Sequence, residues 1–310
     1  MKRSTTKLIL LSVVFASAIN AAAAWCATFN EGDAAYQHGD FGKAYAVMHS
    51  LANLGDARAQ ANIALMYRSG KGVKQDYAEA VKWYRLAAGQ GDAGGQFGLG
   101  FCYEEGHGVA RDYAQALTWY RLSAAQGYAP AQVNLGALYM AGRGVAQDYA
   151  TALQWHRLAA AQGNAAGQYN LGVLYDNGQG VAQSQTDAFK WYSLAAAQGD
   201  AQAQNNLALM YDKSQGVAEN AAEAFRLYRL AAIQGNAEGQ NNLGVMYARG
   251  RGVREDYVRA YLWFTLSAAA GDPHAAMNRS TVAESLTPQQ IAEAQRLAGD
   301  CLAKRLAGCD

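Results

Sequence analysis

The sequence predicts an all-α chain of stacked two-helix repeats, 36 residues each, and three observations carry that prediction. Trp83, Trp119, Trp155, Trp191 and Trp263 fall on a grid of 36, with Leu227 at the one missing point. Tyr67, Tyr103, Tyr139, Tyr175, Tyr211 and Tyr247 fall on the same grid. The 310 residues include only 3 prolines but 33 glycines, a balance that suits helices closed by glycine turns. Six units therefore tile residues 57–272 without insertion: 57–92, 93–128, 129–164, 165–200, 201–236 and 237–272.

Taken in order, the chain opens with a basic stretch, Met1 to Lys7, an apolar run of 12 residues from Leu8 to Ile19, and a small-residue tail, Asn20 to Ala24. Twelve apolar residues fall short of the ~20 that a membrane-spanning helix needs, but they match the apolar part of a secretory signal. Residues 1–24 thus read as a signal peptide cleaved near Ala24, which places the product in the periplasm or outside the cell. Lipidation through Cys26 fits less well, because bulky Trp25 stands where such a site takes a small residue. Residues 25–56 read as an N-terminal cap. Residues 29–56 resemble a shortened repeat, with Gly55-Asp56 one period before Gly91-Asp92.

Punctuation divides each unit into two helices. Helix A of the first unit, Ala57 to Ser69, sets Gln60, Ile63, Ala64 and Tyr67 at i, i+3, i+4 and i+7, the spacing of one buried face. The turn Gly70-Lys71-Gly72-Val73 stops it. Helix B starts behind Asp76, with Glu79 three positions on in a capping-box pattern; Asp112, Asp148, Ser184, Asn220 and Asp256 fill the same cap column. Gly91, Gly127, Gly163, Gly199, Gly235 and Gly271 close helix B. The columns led by Ala64, Ala80 and Ala88 let helices approach closely, while those of Tyr67 and Trp83 fill the space between. One unit cannot offset the entropy of ordering itself, so neighbours must share a core.

Units four and five break the pattern. Ser184-Gln185 and Asn220-Ala221 replace Asp-Tyr, Ser214 replaces a turn glycine, and Leu227 replaces tryptophan. Residues 201–236 are therefore expected to open first. Residues 273–310 read as a C-terminal cap. An A helix begins at Pro273 and His274, and a final helix follows Thr287, with Pro288 in its first turn and Gln290 completing a capping box.

Export implies an oxidising compartment, where four cysteines allow 3 pairings. Cys102 stands in a column of Met and Leu and reads as a buried filler. Cys301 and Cys309 would be ~12 Å apart along an unbroken helix, too far to bridge. If Gly308 ends the helix and folds the chain back, a Cys301–Cys309 disulfide forms.

Charge narrows the partners. The formal net charge is +1, and removing Lys2, Arg3 and Lys7 leaves 23 basic residues against 25 acidic, or −2. Without a basic surplus, nucleic acid is excluded as an expected partner. His38, His49, His107, His156 and His274 are scattered and form no metal or zinc-type pattern. His156 replaces a tyrosine of the column Tyr84, Tyr120, Tyr192, as a packing or helix-surface substitution. Turns such as Gly142-Arg143-Gly144 recur in nearly every unit without a preceding strand, so they are structural rather than phosphate loops. The one SxxK match, Ser4 to Lys7, lies in the signal. No enzyme, cofactor or metal is expected.

The pattern GxGVxxDYxxAxxWYxxAAxQGD, with NLGxxY on the preceding helix, resembles the Sel-one-like repeat family, α/α solenoid relatives of tetratricopeptide repeats. The resemblance covers 216 of 310 residues as full units. It implies a right-handed superhelical scaffold that binds proteins or peptides; an alternative, from some secreted cysteine-rich members, is a cell-wall-directed or β-lactam-binding protein or enzyme. It also implies that A helices line a concave groove, with the residue before Leu-Gly facing into it. Here that column is Asn62, Gly98, Asn134, Asn170, Asn206 and Asn242. Asparagine is a mediocre helix former but offers a donor and an acceptor to a peptide backbone; the competing reading has these amides bonding neighbouring helices. Two further columns vary: Ala61, Phe97, Val133, Tyr169, Asn205, Asn241, and Arg68, Glu104, Met140, Asp176, Asp212, Ala248. The candidate binding residues are thus the five asparagines with Phe97, Tyr169, Arg68, Asp176 and Asp212, and the expected ligand is extended, with an apolar segment and a basic one. Unselected drift on a solvated face is the competing reading.

Overall fold

The computed structural model of the chain describes residues 28–304, 306, 308 and 309. The signal peptide and the Cys26 lipidation site lie outside the described residues. Among the described residues every regular element is an α-helix. The first compact unit, ending at Gln147, holds α1 (residues 28–37), α2 (Phe41–Asn53), α3 (Ala57–Ser69), α4 (Tyr77–Gly89), α5 (Ala93–Glu105), α6 (Tyr113–Ala125) and α7 (Ala129–Ala141). The second, beginning at Asp148, holds α8 (Tyr149–Ala161), α9 (Ala165–Asn177), α10 (Gln185–Ala197), α11 (Ala201–Lys213), α12 (Ala221–Ile233), α13 (Ala237–Arg249), α14 (Tyr257–Ala269), α15 (Ala275–Ala283) and α16 (Pro288–Ala303). Within the repeats of each unit a helix packs on the one before it, A on B and B on A, as for α3, α4 and α5 or α11, α12 and α13, and at the end both α15 and α16 pack on α14.

Caps explain where the helices start. Asp76, Asp112, Asp148, Ser184, Asn220 and Asp256 each accept a backbone N–H of the first turn of a B helix. Asp76 nevertheless lacks the reciprocal half of its capping box, because the Glu79 carboxylate turns to Lys82 Nζ at 2.6 Å instead. Thr287 and Gln290 form the full box. Pro273 and His274 precede the helix they were expected to start: Asp272 Oδ1 accepts from the N–H groups of His274 and Ala275, so α15 begins two residues later.

Turn glycines fix how one repeat sits on the last. Gly108 has φ +72°, and a Cβ there would lie 2.3 Å from the Tyr77 carbonyl oxygen at the start of the preceding B helix. Glycine is required twice over, for the left-handed backbone and for the contact.

The aromatic core differs from the sequence expectation. Trp83, Trp119, Trp155 and Trp191 are only half-buried, and the deepest ring is one residue on, at Tyr84, Tyr120, Tyr192, Tyr228 and Phe264. In repeats two, four and six that residue points at the A-helix glycine of its own repeat, where repeats one and five have Ala64 and Ala208: a Cβ on Gly100 would sit 2.8 Å from the Tyr120 ring, one on Gly172 2.5 Å from Tyr192 and one on Gly244 2.7 Å from Phe264. The glycine of the Leu-Gly pair is there a socket for that ring. His156 occupies the same column at 0 % exposure, so the substitution is a packing one and not on the helix surface. Burial holds its pKa down at about 4, and neither ring nitrogen has a hydrogen-bond partner.

A buried glutamine ladder runs through the repeats. Gln60, Gln132, Gln204 and Gln240 donate to the carbonyl eight residues earlier, on Ala52, Ala124, Ala196 and Ala232. The glutamine that caps the following B helix then donates back: Gln90 to Gln60 at 2.8 Å, Gln126 to Gln96 at 2.8 Å, Gln198 to Gln168 at 2.7 Å and Gln234 to Gln204 at 2.8 Å. Each bond satisfies an amide oxygen that would otherwise be buried alone. The last repeat has Ala270 in the donor column, and there Gln240 Oε1 is buried without a partner.

At the C-terminus α16 ends at Ala303, earlier than Gly308, and Leu306 takes φ 66° before Gly308 takes φ 74°. The chain doubles back, and Cys301 and Cys309 are joined with Cα atoms 5.3 Å apart. Cys102 is buried and free, its thiol pushed up to about 11 by burial.

Candidate functional site

The residues singled out on the A helices share one property: Asn62, Arg68, Phe97, Asn134, Tyr169, Asn170, Asp176, Asn206, Asp212 and Asn242 are all half-buried. They are held by neighbours yet open to contact on one side. Gly98 is the exception in its column. It is buried, and a Cβ there would lie 2.2 Å from the Tyr84 ring, so packing dictates it.

Successive A helices touch through these side chains. Arg68 on α3 lies over the Phe101 ring of α5 at 4.6 Å. Asn242 on α13 donates to Asn205 on α11 at 3.0 Å, and Asn278 on α15 to Asn241 on α13 at 2.8 Å. Asn205 is fully buried and also donates to Glu238 at 3.2 Å, so that member of the variable column is spent on packing. Asn62 meets only the Met48 sulfur, at 3.9 Å. Asn170 makes no hydrogen bond to the described residues.

Two polar chains that the sequence reading missed connect three helices each. In the first unit Asn134 on α7 donates to the Tyr120 hydroxyl on α6 at 3.0 Å, and Tyr120 donates to Glu104 on α5 at 2.6 Å. In the second, Tyr192 on α10 donates to Asp176 on α9 at 3.4 Å, and Asn206 on α11 hydrogen-bonds Tyr192 and Tyr169. Burial raises the pKa of Glu104, opposed by the Tyr120 hydroxyl donating to it. Burial likewise pushes Tyr120 and Tyr192 up, so both stay neutral donors. The acid, tyrosine and asparagine columns were all visible in the sequence; only their spacing, 16 and then 14 residues, links them.

The aromatic side of each chain is also built. Phe97 stands 5.7 Å from Tyr120 and 5.4 Å from Tyr128 between ring centroids. Tyr128 occupies the N-cap position of α7 without making a side-chain cap, where Asp56, Asp92, Asn164, Asp200 and Asn236 all cap A helices. Tyr169 stands 5.9 Å from Tyr192. Asp212 differs, being already paired with Arg251 at 3.0 Å.

Among the described residues no group of three His, Cys, Asp or Glu side chains is arranged to hold a metal ion. None of the described helices is long and apolar enough to cross a membrane. The arrangement offers directional polar groups, rings and hydrogen-bonded carboxylates that are half-buried.

Comparison with known proteins fits the geometry. The Sel1 repeat profile matches residues 57–92, 93–128, 129–164, 165–200, 201–236 and 237–272. A Sel1 repeat protein from Oxalobacter formigenes is 31% identical over 77% of this chain and 96% of its own, with a TM-score of 0.71. A protective antigen present in uropathogenic Escherichia coli strains, displaying an SLR fold, is 29% identical over 92% of this chain and 85% of its own, with a TM-score of 0.36. A putative Sel1 repeat protein from Klebsiella pneumoniae is 22% identical over 66% of this chain and 99% of its own, with a TM-score of 0.46. No curated protein matches the chain.

Proposed function

The chain belongs to the Sel1 repeat family, a family of α-solenoid scaffolds typical of protein–protein interaction, and from that premise we infer that it is an exported scaffold holding a protein or peptide along the A-helix faces of its repeats. The observation that carries this reading is the half-burial of Phe97, Asn134, Tyr169, Asn170, Asn206 and Asn242 on those faces. Asn134, Asn206 and Asn242 also bond neighbouring helices, as the competing reading expects, and it is the side of each that stays open that supports partner contact. Asn170 is the most telling, a poor helix former kept at a half-buried position with no internal hydrogen bond. Export is supported by the composition of residues 1–24 and by the Cys301–Cys309 bridge, which suits an oxidising compartment.

Partner capture from envelope extract, comparing the native chain with Asn170→Ala, tests the reading. Capture should fall while thermal stability stays level, since no internal bond is lost. Loss of both together would show that Asn170 packs and does not bind. Cell fractionation with N-terminal sequencing tests export, which predicts a chain starting near Trp25 outside the cytoplasm; a chain retained inside with Met1 would refute it.

A further inference from the structure

Repeats two and four carry the same four kinds of side chain at the same spacing. The first unit has Phe97, Glu104, Tyr120 and Asn134; the second has Tyr169, Asp176, Tyr192 and Asn206. In each, ring and carboxylate are seven residues apart on one A helix, hence on one face. In each, the buried tyrosine of the following B helix takes the ring beside it and donates its hydroxyl to the carboxylate. Asp176 Oδ1 also accepts from Gln185 at 2.8 Å, and what each site leaves is a half-buried carboxylate with spare acceptor capacity and an aromatic ring along the same face.

The contrast with the other repeats decides what this is for. Neither Glu104 nor Asp176 has an ion pair among the described residues, and exposed Glu105 adds negative charge beside Glu104. Asp212, in the same column, is neutralised by Arg251, and its repeat has Asn205 where the ring would be. Repeat three, with Val133 and Met140, has neither ring nor acid. In this column a carboxylate lacks an ion-pair partner within bonding distance only where an aromatic ring accompanies it, and Arg143, placed after Glu104 as Arg251 is after Asp212, attracts Glu104 only from farther off.

We propose that Glu104 with Phe97, and Asp176 with Tyr169, are two subsites that each take a cationic side chain, arginine or lysine, of the partner. The inference rests on the peptide-binding reading above and names the chemistry of that partner. A guanidinium donates to the carboxylate while its plane or alkyl stem lies on the ring. Partial burial of the acid strengthens the attraction over that of a surface pair. Asn134 and Asn206 steady the tyrosines and present their remaining amide atoms to the backbone that carries the cation. Tyr120 and Tyr192 are positioning residues, too deep to be touched.

Fluorescence anisotropy on the full chain tests this with three labelled Gly-Ser peptides, one bearing arginines, one lysines and one citrulline, the neutral isostere of arginine. The arginine and lysine peptides should bind, and the citrulline peptide should bind about tenfold more weakly. Glu104→Gln and Asp176→Asn, which keep an oxygen for the tyrosine hydroxyl, should each weaken the arginine peptide about three- to tenfold. Asp212→Asn removes an equal charge already paired and should change affinity by less than about twofold. Equal binding of citrulline, an equal loss in Asp212→Asn, or no binding of the arginine peptide at millimolar concentration would overturn the proposal. If one of these occurs while Asn170→Ala still reduces capture from envelope extract, the cation subsites fall and the A-face reading stands; an arginine-selective peptide with unchanged capture would keep the subsites and refute only the role given to Asn170.

Discussion

Ala270→Gln should stabilise the last repeat, and the size of the effect follows from the glutamine ladder. Gln240 is 2 % exposed and its amide nitrogen donates to the Ala232 carbonyl at 3.1 Å, but its oxygen has no donor. Four other ladder glutamines receive one, at 2.7 or 2.8 Å, from the glutamine that caps the next B helix. Leaving a buried acceptor unsatisfied costs about 1–3 kcal/mol. Ordering a glutamine at the exposed C-cap offsets up to ~1.5–2 kcal/mol of that. The net gain should be about 1 kcal/mol, which for a body of this size raises Tm by about 2–4 °C. Calorimetry reads the shift, and hydrogen exchange at α13 and α14 localises it if unfolding is not two-state. The decisive control is Gln240→Met, which removes the acceptor: Ala270→Gln should then gain nothing, giving a coupling of about 1 kcal/mol. A gain of the same size in both backgrounds would mean that helix propensity, not the ladder, was responsible.

Other perturbations follow from the same structure. Gly108→Ala and Gly127→Ala both force alanine to positive φ, 72° and 85°, but only Gly108 faces a carbonyl, so it should cost at least ~3 kcal/mol against ~1–2 for Gly127; equal losses in urea melts would deny that the turn glycines set repeat-to-repeat contact. Among the six repeats Ser214 is the one A-helix C-cap that is not glycine, at φ 55°, so Ser214→Gly should add about 1 kcal/mol and slow amide exchange across residues 201–236. Those residues are expected to exchange first in the native chain, and finding them the best protected would refute the expectation. His156 has a folded pKa of about 4 against 6.5 unfolded. The unfolded chain thus binds a proton that the folded chain refuses, and stability should fall by up to about 3 kcal/mol as pH drops from 6.5 towards 4. His156→Phe, the residue at Phe264, should flatten that slope in acid titrations of Tm, and an unchanged slope would place the acid sensitivity elsewhere.

The period was legible because each repeat solves the same packing problem, so its solutions return at the same register: Asp76 and its column cap, Gly91 and its column turn, Ala80 and Ala88 make way. What the spacing did not reveal was depth. Trp119 and Tyr120 are neighbours of similar bulk, and which one goes inside depends on the Gly100 socket across the helix pair, a tertiary fact. The glutamine ladder was hidden for a related reason. Gln60 read as one more member of a buried face, and only the coordinates show that its oxygen waits for Gln90, 30 residues on. The asparagine column was found through its resemblance to related solenoids, whereas the Asn134–Tyr120–Glu104 chain joins three helices and leaves no local signature. Asn205 shows the limit of column reasoning, since it sits in a variable column yet is buried between A helices.

Site-specific photo-cross-linking tests the account most directly. A photoreactive side chain placed at Asn170 lies on an A helix, and one at Leu158 lies on a B helix at a position 50 % exposed. With envelope extract, the Asn170 probe should yield a discrete cross-linked partner and the Leu158 probe none. Cross-links from Leu158 but not from Asn170 would place recognition on the other helices and contradict the account.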